Sequence, residues 1–386
     1  MATCKVDAID RKELQIGLLG YGFMGKCHSH AFKVIPYIYP EAKMLPHLLI
    51  LCGRNKEKVR REAARYGFAE YSTDWQDLVL DKRIDVFDNC GPDPAHPEPC
   101  IAALENGKNV ICEKPLAVSV EDARKMRDAA KNSAGKAMCV FNYRFFPAVR
   151  LAKDLISAGR LGRVYHMQVS YAQMAGHDPS VPSDEVWYSA WPYSGVLQGI
   201  GSHAIDQCRF LLGEIKSVAA QVGAFNQARK CPIPGVDVDE ATGALMEFEC
   251  GAMGVVVATA LATGRKNVLS WEITGSNGAL RWSLEHPNTL HACLEDKGTR
   301  SLSGFTEVSV TDGDHPYASA WWPTGHTLGW EHAHIIEKAH FLSAVASGTE
   351  MSRCLATFDD GYRVAVIIAA IKESSLCGRR IAVEFQ

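Results

Sequence analysis

Leu14-Gln-Ile-Gly-Leu-Leu-Gly-Tyr-Gly-Phe-Met-Gly25 is the stretch of this sequence that decides its fold. The segment from Leu14 to Leu19 is a short and nearly continuous apolar run, which predicts a strand buried on both faces of a parallel sheet. Three glycines follow in the spacing G-x-G-x-x-G, and residues 26–34 have the composition of a helix. A strand, a glycine loop and a helix in this order predict a turn that binds the phosphates of a dinucleotide.

The spacing of the three glycines matches what such a turn requires. Gly20 makes the tight turn, Gly22 lets the backbone approach a pyrophosphate, and Gly25 lets the helix pack closely on the strand. The phosphates then meet the N–H groups and the positive dipole end of the helix. The alternative is a structural turn that holds no ligand.

Up to residue 142 the chain alternates between strand and helix patterns. Further predicted strands are Leu48–Cys52, Ile84–Cys90, Asn109–Cys112 and Ala137–Phe141. Predicted helices are Lys56–Tyr66, Pro99–Asn106, Ser119–Lys131 and a short one that is capped by Thr73 or Asp74 and runs to Leu80. Three prolines interrupt Ile35–His47, and we expect a loop insertion there. The alternation predicts an α/β fold with a doubly wound parallel sheet, as an N-terminal domain over residues 1–142.

After residue 142 the pattern changes to successive strands. They are predicted at Val164–Met174, Val218–Ala224, Ala241–Glu249, Met253–Ala260, Val268–Thr274, Ala279–Trp282 and Leu290–Leu294. Strands without intervening helices predict a largely antiparallel, open sheet. Helical patterns cover residues 148–158, 201–212, 331–347 and 357–376. We therefore expect a C-terminal α+β domain over residues 143–386, whose last two helices can pack back on the first domain.

The composition excludes several classes of function. The chain has 386 residues, of which 47% are hydrophobic and 22% charged, as in ordinary globular enzymes. The formal net charge is -3 and no basic run occurs, so we expect no nucleic-acid partner. No apolar stretch reaches the roughly 18 residues of a membrane span, and the first residues lack a signal core. We expect a cytoplasmic protein with no membrane partner.

The cysteines point to the same compartment. The sequence contains 13 of them, an odd number, and no C-x-x-C pair. Many lie in strand-like runs, where a cysteine packs as a small apolar residue. We therefore expect reduced thiols rather than disulfides, and no metal site.

Five pieces occur together in this chain: GYGFMGKCHSHAF at 20–32, the loop from Pro92 to His96, VICEKPLAVS at 110–119, FNYRFFPAVRLAKDLISAGRLG at 141–162 and GSHAIDQCRFLLG at 201–213. In this combination the chain resembles the Gfo/Idh/MocA family of sugar and cyclitol oxidoreductases, from about residue 14 to the C-terminus. The resemblance implies a Rossmann domain that binds NAD or NADP. It also implies oxidation of a secondary ring hydroxyl of a sugar, glycoside or cyclitol to a ketone, including 3-keto pyranosides.

Two other functions stay open at this point. One is a redox-neutral enzyme that keeps its cofactor tightly bound and cleaves or epimerises a glycoside through a keto intermediate. The other is a non-catalytic nicotinamide-binding sensor.

Lys114 ends a predicted buried strand, at the edge where open α/β sheets bind ligands. A lysine is costly to bury unless something uses it, and partial desolvation suits it for proton transfer. The resemblance implies that Lys114 is catalytic and lies near the substrate hydroxyl. The alternative is a surface ion pair with Glu113 or Glu121.

His203 begins a helix-like stretch, and Asp206 and Arg209 follow three and six positions later. Histidine suits proton transfer because it titrates near the working pH. The resemblance implies that His203 handles the proton of the oxidised hydroxyl.

One position departs from the family pattern. Many members carry an aspartate four residues before this histidine, and here that position is Gly199. Polar substitutes for the missing carboxylate are Gln198, Asp178 or Asp184. The departure is also the one feature that favours a sensor.

The residues after the second strand bear on the choice of cofactor. NAD-specific members commonly carry an acidic residue there, and this chain has Gly53-Arg54-Asn55. Arg54 can pair with the 2′-phosphate of NADP. It can equally stack on the adenine of NAD, so both NAD and NADP remain open.

The resemblance implies a further set of contacts. Cofactor contacts are Gly20, Gly22, Phe23, Met24, Gly25, Gly53, Arg54, Asn55, Cys90, Pro92, His96, Glu113, Lys114 and Asn142, and substrate contacts are Lys114, Tyr143, Trp187, Gln198, His203 and Trp330. Trp187 and Trp330 are expected to form a wall for the sugar ring; the alternative is that they anchor loops or an interface. The predicted open sheet has too few helices to cover both faces, so we expect a homodimer or homotetramer through the C-terminal sheet.

Overall fold

The computed structural model describes residues 11–40, 42–181, 185–186, 195–225, 238–294 and 304–386. The first sheet contains strands β1 (Lys12–Leu19), β2 (Met44–Cys52), β3 (Glu70–Ser72), β4 (Val86–Asn89), β5 (Asn109–Cys112) and β6 (Ala137–Cys139). The helices between them are α1 (Phe23–Ile38), α2 (Lys56–Tyr66), α3 (Trp75–Leu80), α4 (Pro97–Glu105) and α5 (Val120–Asn132).

The second sheet contains strands β7 (Val164–Ala172), β8 (Ile215–Gly223), β9 (Ala241–Phe248), β10 (Met253–Thr259), β11 (Val268–Gly275), β12 (Gly278–Ser283), β13 (Thr289–Leu294), β14 (Thr306–Ser309) and β15 (Ile381–Ala382). The helices of this part are α6 (Pro147–Ser157), α7 (Ser202–Leu212), α8 (Trp330–Ser347) and α9 (Phe358–Cys377).

The first sheet has the strand order β3-β2-β1-β4-β5-β6, and its strand pairs are parallel. This is the order of the Rossmann fold, so the predicted doubly wound sheet is confirmed. Leu14, Ile16 and Leu18 of β1 are fully buried. Burial of both faces explains why the strand reads as an apolar run rather than as an alternation.

The carboxyl ends of the central strands meet at one edge of the first sheet. Leu19, which ends β1, pairs with Cys52 of β2 on one side and with Asn89 of β4 on the other. Asn89 pairs in turn with Cys112 of β5. The residues that follow these strand ends therefore lie along one edge: Gly20, Gly53, Cys90 and Glu113.

The predicted loop at Ile35–His47 is wrong at both of its ends. Helix α1 continues to Ile38 with Pro36 inside it, and β2 already begins at Met44. Ile35 and Ile38 are buried, so side-chain packing outweighs the backbone hydrogen bond that the proline removes.

Pro46 is tolerated within β2 for a different reason. Strand β3 pairs only with Ile50–Cys52, so β2 is an edge strand at the position of Pro46. An edge position needs no N–H donor on its outer side, which is where proline is found in sheets.

The second sheet has the order β14-β13-β12-β11-β7-β10-β9-β8-β15. Its neighbouring strands are antiparallel except for β7 and β10, which are parallel. The predicted α+β part with a largely antiparallel sheet is therefore confirmed. Helices α6, α7 and α9 pack against strands of this sheet.

The last two long helices also reach the first sheet. Helix α8 packs against α1, β1 and β2, and α9 packs against α5 and β6. The carboxyl edge of the first sheet is thereby held next to α7 of the second part. None of the helices in the described ranges combines the length and the apolar character that a membrane crossing requires.

Candidate active site

The glycine loop after β1 leaves space where a pyrophosphate is expected. Gly20 has a φ of 101°, and a Cβ atom there would overlap the carbonyl oxygen of Cys90. A Cβ atom at Gly25 would overlap the carbonyl oxygen of Gly20, so α1 packs directly on the loop. At Gly22, the N-cap of α1, a Cβ atom would meet no described atom within 4 Å. The N-terminus of α1 is thus open to an anionic ligand.

The adenosine end of the predicted site follows β2. A Cβ atom at Gly53 would overlap the ring of Tyr21, so this ring alone accounts for the glycine. Arg54 is exposed. The Asn55 side chain accepts a hydrogen bond from the N–H of Lys58 (3.0 Å) and caps α2, so its oxygen is committed to the helix.

A buried charge network lies beneath the glycine loop. The Nδ1 of His28 lies 2.8 Å from Asp88, and its Nε2 lies 3.1 Å from Glu113. Burial acts to lower the pKa of His28, but the charge and hydrogen bond of Asp88 and the hydrogen bond of Glu113 together raise that pKa. Burial acts to raise the pKa of Glu113, but the hydrogen bond and charge of His28, with Lys114 and Lys338, lower it to about 2. Glu113 is therefore ionised and paired with His28.

Three predicted cofactor residues lie in the loop after β4. The half-buried thiol of Cys90 lies 3.0 Å from the Nδ1 of His28, and Pro92 precedes a short 3-10 turn. His96 is fully buried. One of its ring nitrogens lies 2.8 Å from the carbonyl oxygen of Pro115, and the other lies 3.1 Å from the carbonyl oxygen of Gly91. His96 therefore joins the loops after β4 and β5.

Lys114 follows β5 and reaches towards the second part of the molecule. Its ammonium group donates a hydrogen bond to the backbone carbonyl of Gly199 (2.9 Å). Glu113 is engaged with α1, and Glu121 pairs with Arg124 (2.8 Å). At the position where the family pattern has an aspartate, a neutral backbone carbonyl faces the lysine.

Gly199 belongs to a π-helical turn, Leu197–Gly201, which runs directly into α7. The neighbouring Gln198 is buried, and its Nε2 donates to the carbonyl of Val118 (3.1 Å). The turn is therefore attached to the loop after β5 at two points, Lys114 and Val118.

His203 is the second residue of α7 and only 8% exposed. Its ring lies edge-on to Phe141 and Tyr143, with ring centroids 5.8 and 4.7 Å apart. Burial, together with the positive charge of Lys114, holds the pKa of His203 well below its ordinary value. The imidazole is therefore neutral and stands beside an ammonium group, an arrangement suited to proton transfer.

Aromatic side chains lie beside His203 in this site. The hydroxyl of Tyr143 lies 2.7 Å from that of Tyr171. Trp330, at the start of α8, stacks on Phe23 at the start of α1, with ring centroids 5.3 Å apart. Burial raises the pKa of Tyr143, and polar contacts with Tyr171 and Trp330 act against this shift.

The buried polar atoms without a hydrogen-bond partner among the described residues include three in this site: Asn142 Nδ2, Gln198 Oε1 and His203 Nδ1. Each belongs to a residue on the predicted cofactor or substrate side of the site. Buried polar atoms are normally paired, so unpaired ones in a common region fit a bound polar ligand. With the open glycine loop, these residues fit a dinucleotide and a hydroxyl-bearing substrate.

Some predicted residues lie elsewhere. Trp187 and Asp184 fall outside the described residues. Asp178 is exposed and accepts a hydrogen bond from the hydroxyl of Ser180 (2.7 Å). We did not predict Asp239, which accepts a hydrogen bond from the N–H of Leu197 (2.6 Å); no local motif surrounds it.

The fold defines a Rossmann protein whose glycine loop fits a dinucleotide, and comparison with known proteins agrees. Residues 14–141 match the oxidoreductase family described as having an NAD-binding Rossmann fold. Residues 149–281 match the GFO/IDH/MocA C-terminal domain. The chain belongs to the Gfo/Idh/MocA family of oxidoreductases.

Individual relatives are dehydrogenases of sugars and cyclitols. The chain is 36% identical to levoglucosan dehydrogenase of Pseudarthrobacter phenanthrenivorans over 382 residues, covering 94% of this chain and 96% of the relative. It is 29% identical to an NAD-dependent scyllo-inositol 2-dehydrogenase of Bacillus subtilis, covering 69% and 73%. A solved levoglucosan dehydrogenase in complex with NADH superposes with a TM-score of 0.91 at 36% identity, covering 97% of this chain and 100% of that one.

Proposed function

We propose that this protein is an NAD(P)-dependent dehydrogenase that oxidises a secondary ring hydroxyl of a sugar, glycoside or cyclitol to a ketone. The observation that carries the proposal is the pairing of Lys114 and His203, which approach one site from two parts of the molecule, with the charge of Lys114 acting on His203. The levoglucosan and inositol dehydrogenases among the relatives support the substrate class.

In this proposal Lys114 and His203 divide the work on the hydroxyl group. A bound nicotinamide supplies the acceptor for the hydride that leaves the hydroxyl-bearing carbon. Lys114 is held by the Gly199 carbonyl, and its remaining N–H groups stabilise the negative charge that develops on the hydroxyl oxygen. Neutral His203 accepts the hydroxyl proton and passes it on, because burial and Lys114 disfavour the charged imidazole.

The substrate ring is assigned to the aromatic side of the site. Tyr143 and Trp330 offer apolar surface to the C–H face of a sugar ring, and Gln198 offers an unpaired buried oxygen to a hydroxyl. Trp187, outside the described residues, is proposed for the same wall. At the adenosine end, Gly53 and Arg54 admit NADP as well as NAD.

The proposal is tested by a substrate screen on the purified protein. The protein is first denatured and the released cofactor identified, and the intact protein is then offered levoglucosan, pyranosides and inositols with NAD or NADP while nicotinamide absorbance is followed. We expect net reduction of the cofactor with at least one cyclic polyol. A tightly retained cofactor and glycoside conversion without net reduction would favour the redox-neutral enzyme, and no conversion of any polyol would contradict the proposal.

A further inference from the structure

The π-helical turn Leu197–Gly201 is the segment that brings Lys114 and His203 together. The Gly199 carbonyl of this turn accepts a hydrogen bond from Lys114. Helix α7, which carries His203, begins at the residue that directly follows the turn. A side chain can change its rotamer to reach a lysine. The direction of a backbone carbonyl, in contrast, is set only by the backbone conformation of the turn. Whatever fixes this turn therefore fixes the geometry of both catalytic candidates.

Asp239, just before β9, holds the start of this turn at two points. Its carboxylate accepts a hydrogen bond from the N–H of Leu197 (2.6 Å), and its backbone carbonyl accepts one from the N–H of Val196 (3.1 Å). Both donors belong to the first residues of a helical segment, which have no partner within the helix. Asp239 is only 4% exposed, so no bulk water competes for these bonds.

Gly195, two residues before the turn, is fitted to the same carboxylate. Gly195 has a φ of 98°, and a Cβ atom there would overlap Asp239 Oδ1. The carbonyl of Gly195 accepts a hydrogen bond from the N–H of Gly199 itself (3.1 Å). A continuous set of contacts thus runs from Asp239 through Gly195 and Leu197 to the carbonyl that faces Lys114.

We propose that Asp239 is a positioning residue, which fixes the π-helical turn so that the Gly199 carbonyl meets Lys114 and His203 enters the site in a set orientation. This inference rests on the proposed function, because it assigns Lys114 and His203 as the groups that are positioned. Asp239 touches neither of them and acts through the backbone of the turn.

The test compares two substitutions of Asp239 with a matched control. Asp239→Asn keeps an oxygen that can accept from the Leu197 N–H, whereas Asp239→Ala removes it. We expect kcat of the asparagine variant to stay close to that of the wild type, and kcat of the alanine variant to fall by about tenfold to hundredfold. The KM for the nicotinamide cofactor should be unchanged in both, because the glycine loop lies on the other sheet.

The control is Asp74→Ala, which removes an exposed capping carboxylate that accepts from the N–H of Gln76 (3.0 Å) at the start of α3. It should lower the melting temperature and leave kcat unchanged. If the alanine variant of Asp239 behaves like this control, Asp239 is a structural cap only and the proposal is overturned. An asparagine variant as slow as the alanine variant also overturns it, because the accepted hydrogen bond would then not be the cause.

A second measurement separates this inference from the proposed function. Heteronuclear NMR of the histidine ring nitrogens, with the His203 signals assigned through His203→Asn, reports the orientation of His203 without substrate. We expect displaced His203 signals in Asp239→Ala and wild-type signals in Asp239→Asn. If the wild type oxidises no polyol, the proposed function fails while these signals still decide the positioning role. If the alanine variant does not fold, Asp239→Val, which also lacks an acceptor, replaces it, and unchanged His203 signals in that variant overturn the inference.

Discussion

Lys114 and His203 form a pair in which one side chain is charged and the other is kept neutral by its surroundings. The lysine has a neutral carbonyl as its hydrogen-bond acceptor, so its charge is not cancelled at that contact. The same charge disfavours protonation of His203. In the proposed reaction, a substrate hydroxyl between the two would therefore meet an electrostatic stabiliser on one side and a neutral proton acceptor on the other.

We expect Lys114→Met to lower turnover by about a hundredfold or more, with nearly unchanged cofactor affinity, because it removes the charge and keeps the length. His203→Asn should behave similarly and alter the pH–rate profile. Steady-state kinetics and cofactor titration measure both effects. Lys131→Met, at the exposed end of α5, is the control and should match the wild type. If the turnover rates of both variants are within a few-fold of that of the wild type, the proton acceptor is a different residue.

Gly22→Val should separate folding from cofactor binding. No described atom would meet the new Cβ within 4 Å, so we expect the variant to fold. Its side chain would occupy the space at the N-terminus of α1, so affinity for NAD should fall by about tenfold or more. Fluorescence titration with NADH measures the loss. Gly313→Val, at another open and exposed glycine, should bind as the wild type does.

Arg54→Ala tests the adenosine end of the site. If its guanidinium binds a 2′-phosphate, the variant should lose about 1–3 kcal/mol of NADP binding and much less of NAD binding. Calorimetric titration with each cofactor measures the difference. Arg60→Ala, which removes an exposed arginine of α2 paired with Glu57 (3.3 Å), serves as the control. Equal losses for NAD and NADP would mean that Arg54 stacks on adenine or lies outside the site.

The places of single residues in the fold were predictable where a local motif marks them. Gly20, Lys114 and His203 follow strand ends or open a helix, and the parallel register explains why the first two share an edge. Asp239 and Glu337 carry no such mark. Their partners, the N–H groups of Leu197 and Phe141, lie 42 and 196 residues away, and only the folded chain brings them close.

At the scale of elements, most helices and strands follow from periodicity and capping residues. Helix α2 spans Lys56–Tyr66 as predicted, and the Ser119 side chain accepts from the N–H of Asp122 (3.0 Å) at the start of α5. The loop predicted over Ile35–His47 was wrong because the prediction considered only the local free-energy cost of proline in a helix. The packing of α1 on its neighbours, which a local pattern does not show, outweighs that cost.

Helix α8 is an element whose burial a sequence pattern does not predict. It carries His334, Glu337 and Lys338 into the interior, where all three are at most 1% exposed. Glu337 accepts a hydrogen bond from the N–H of Phe141 (3.0 Å), next to the candidate site, and lies 3.6 Å from the ammonium of Lys338. A polar cluster on a buried helix is sustained by such internal pairing.

Glu337 makes stability depend on pH in a defined direction. Burial raises its pKa to about 7, and the charge of Lys338 opposes the shift. Because this folded-state pKa lies above the unfolded value, the contribution of Glu337 to stability is present at low pH and is lost as the pH rises through about 7. The neighbouring Glu113 and His28 face the same cluster.

We therefore expect the stability of Glu337→Gln relative to the wild type to increase by roughly 1–3 kcal/mol between about pH 5.5 and about pH 8.5. The amide retains an oxygen that can accept from the N–H of Phe141. Urea unfolding at the two pH values measures the change. Glu331→Gln removes a half-exposed carboxylate at the start of the same helix and serves as the control. If the difference in unfolding free energy between Glu337→Gln and the wild type is the same at both pH values, Glu337 does not titrate in this range.

At the scale of the whole molecule, the two-part architecture was predictable and one feature of it was not. Alternating strands and helices indicate a parallel sheet, and successive strands indicate an antiparallel one. The parallel pairing of β7 with β10 lies outside these patterns, because side-chain alternation is the same for either strand direction.

The second sheet presents an apolar surface that a single chain leaves exposed. Leu245 of β9 pairs with Val255 of β10, and Met253 and Val257 flank it along the strand. These four side chains are between 38% and 68% exposed. A contiguous apolar face of this kind marks an interaction surface, and a second copy of the same face can cover it with closed symmetry.

We expect the protein to form a homodimer or homotetramer through this face, with a mass that is a multiple of the 42.3 kDa chain. Val255→Glu places a charge at the centre of the face, where burying it without a partner is costly, and should shift the mass towards that of one chain. Light scattering at about micromolar concentration measures the mass. The control is Leu376→Glu, which adds the same negative charge at an 88% exposed position near the end of α9. This variant should leave the assembly intact. A wild-type protein with the mass of one chain would contradict the prediction, and an unchanged mass in Val255→Glu would move the interface to another surface.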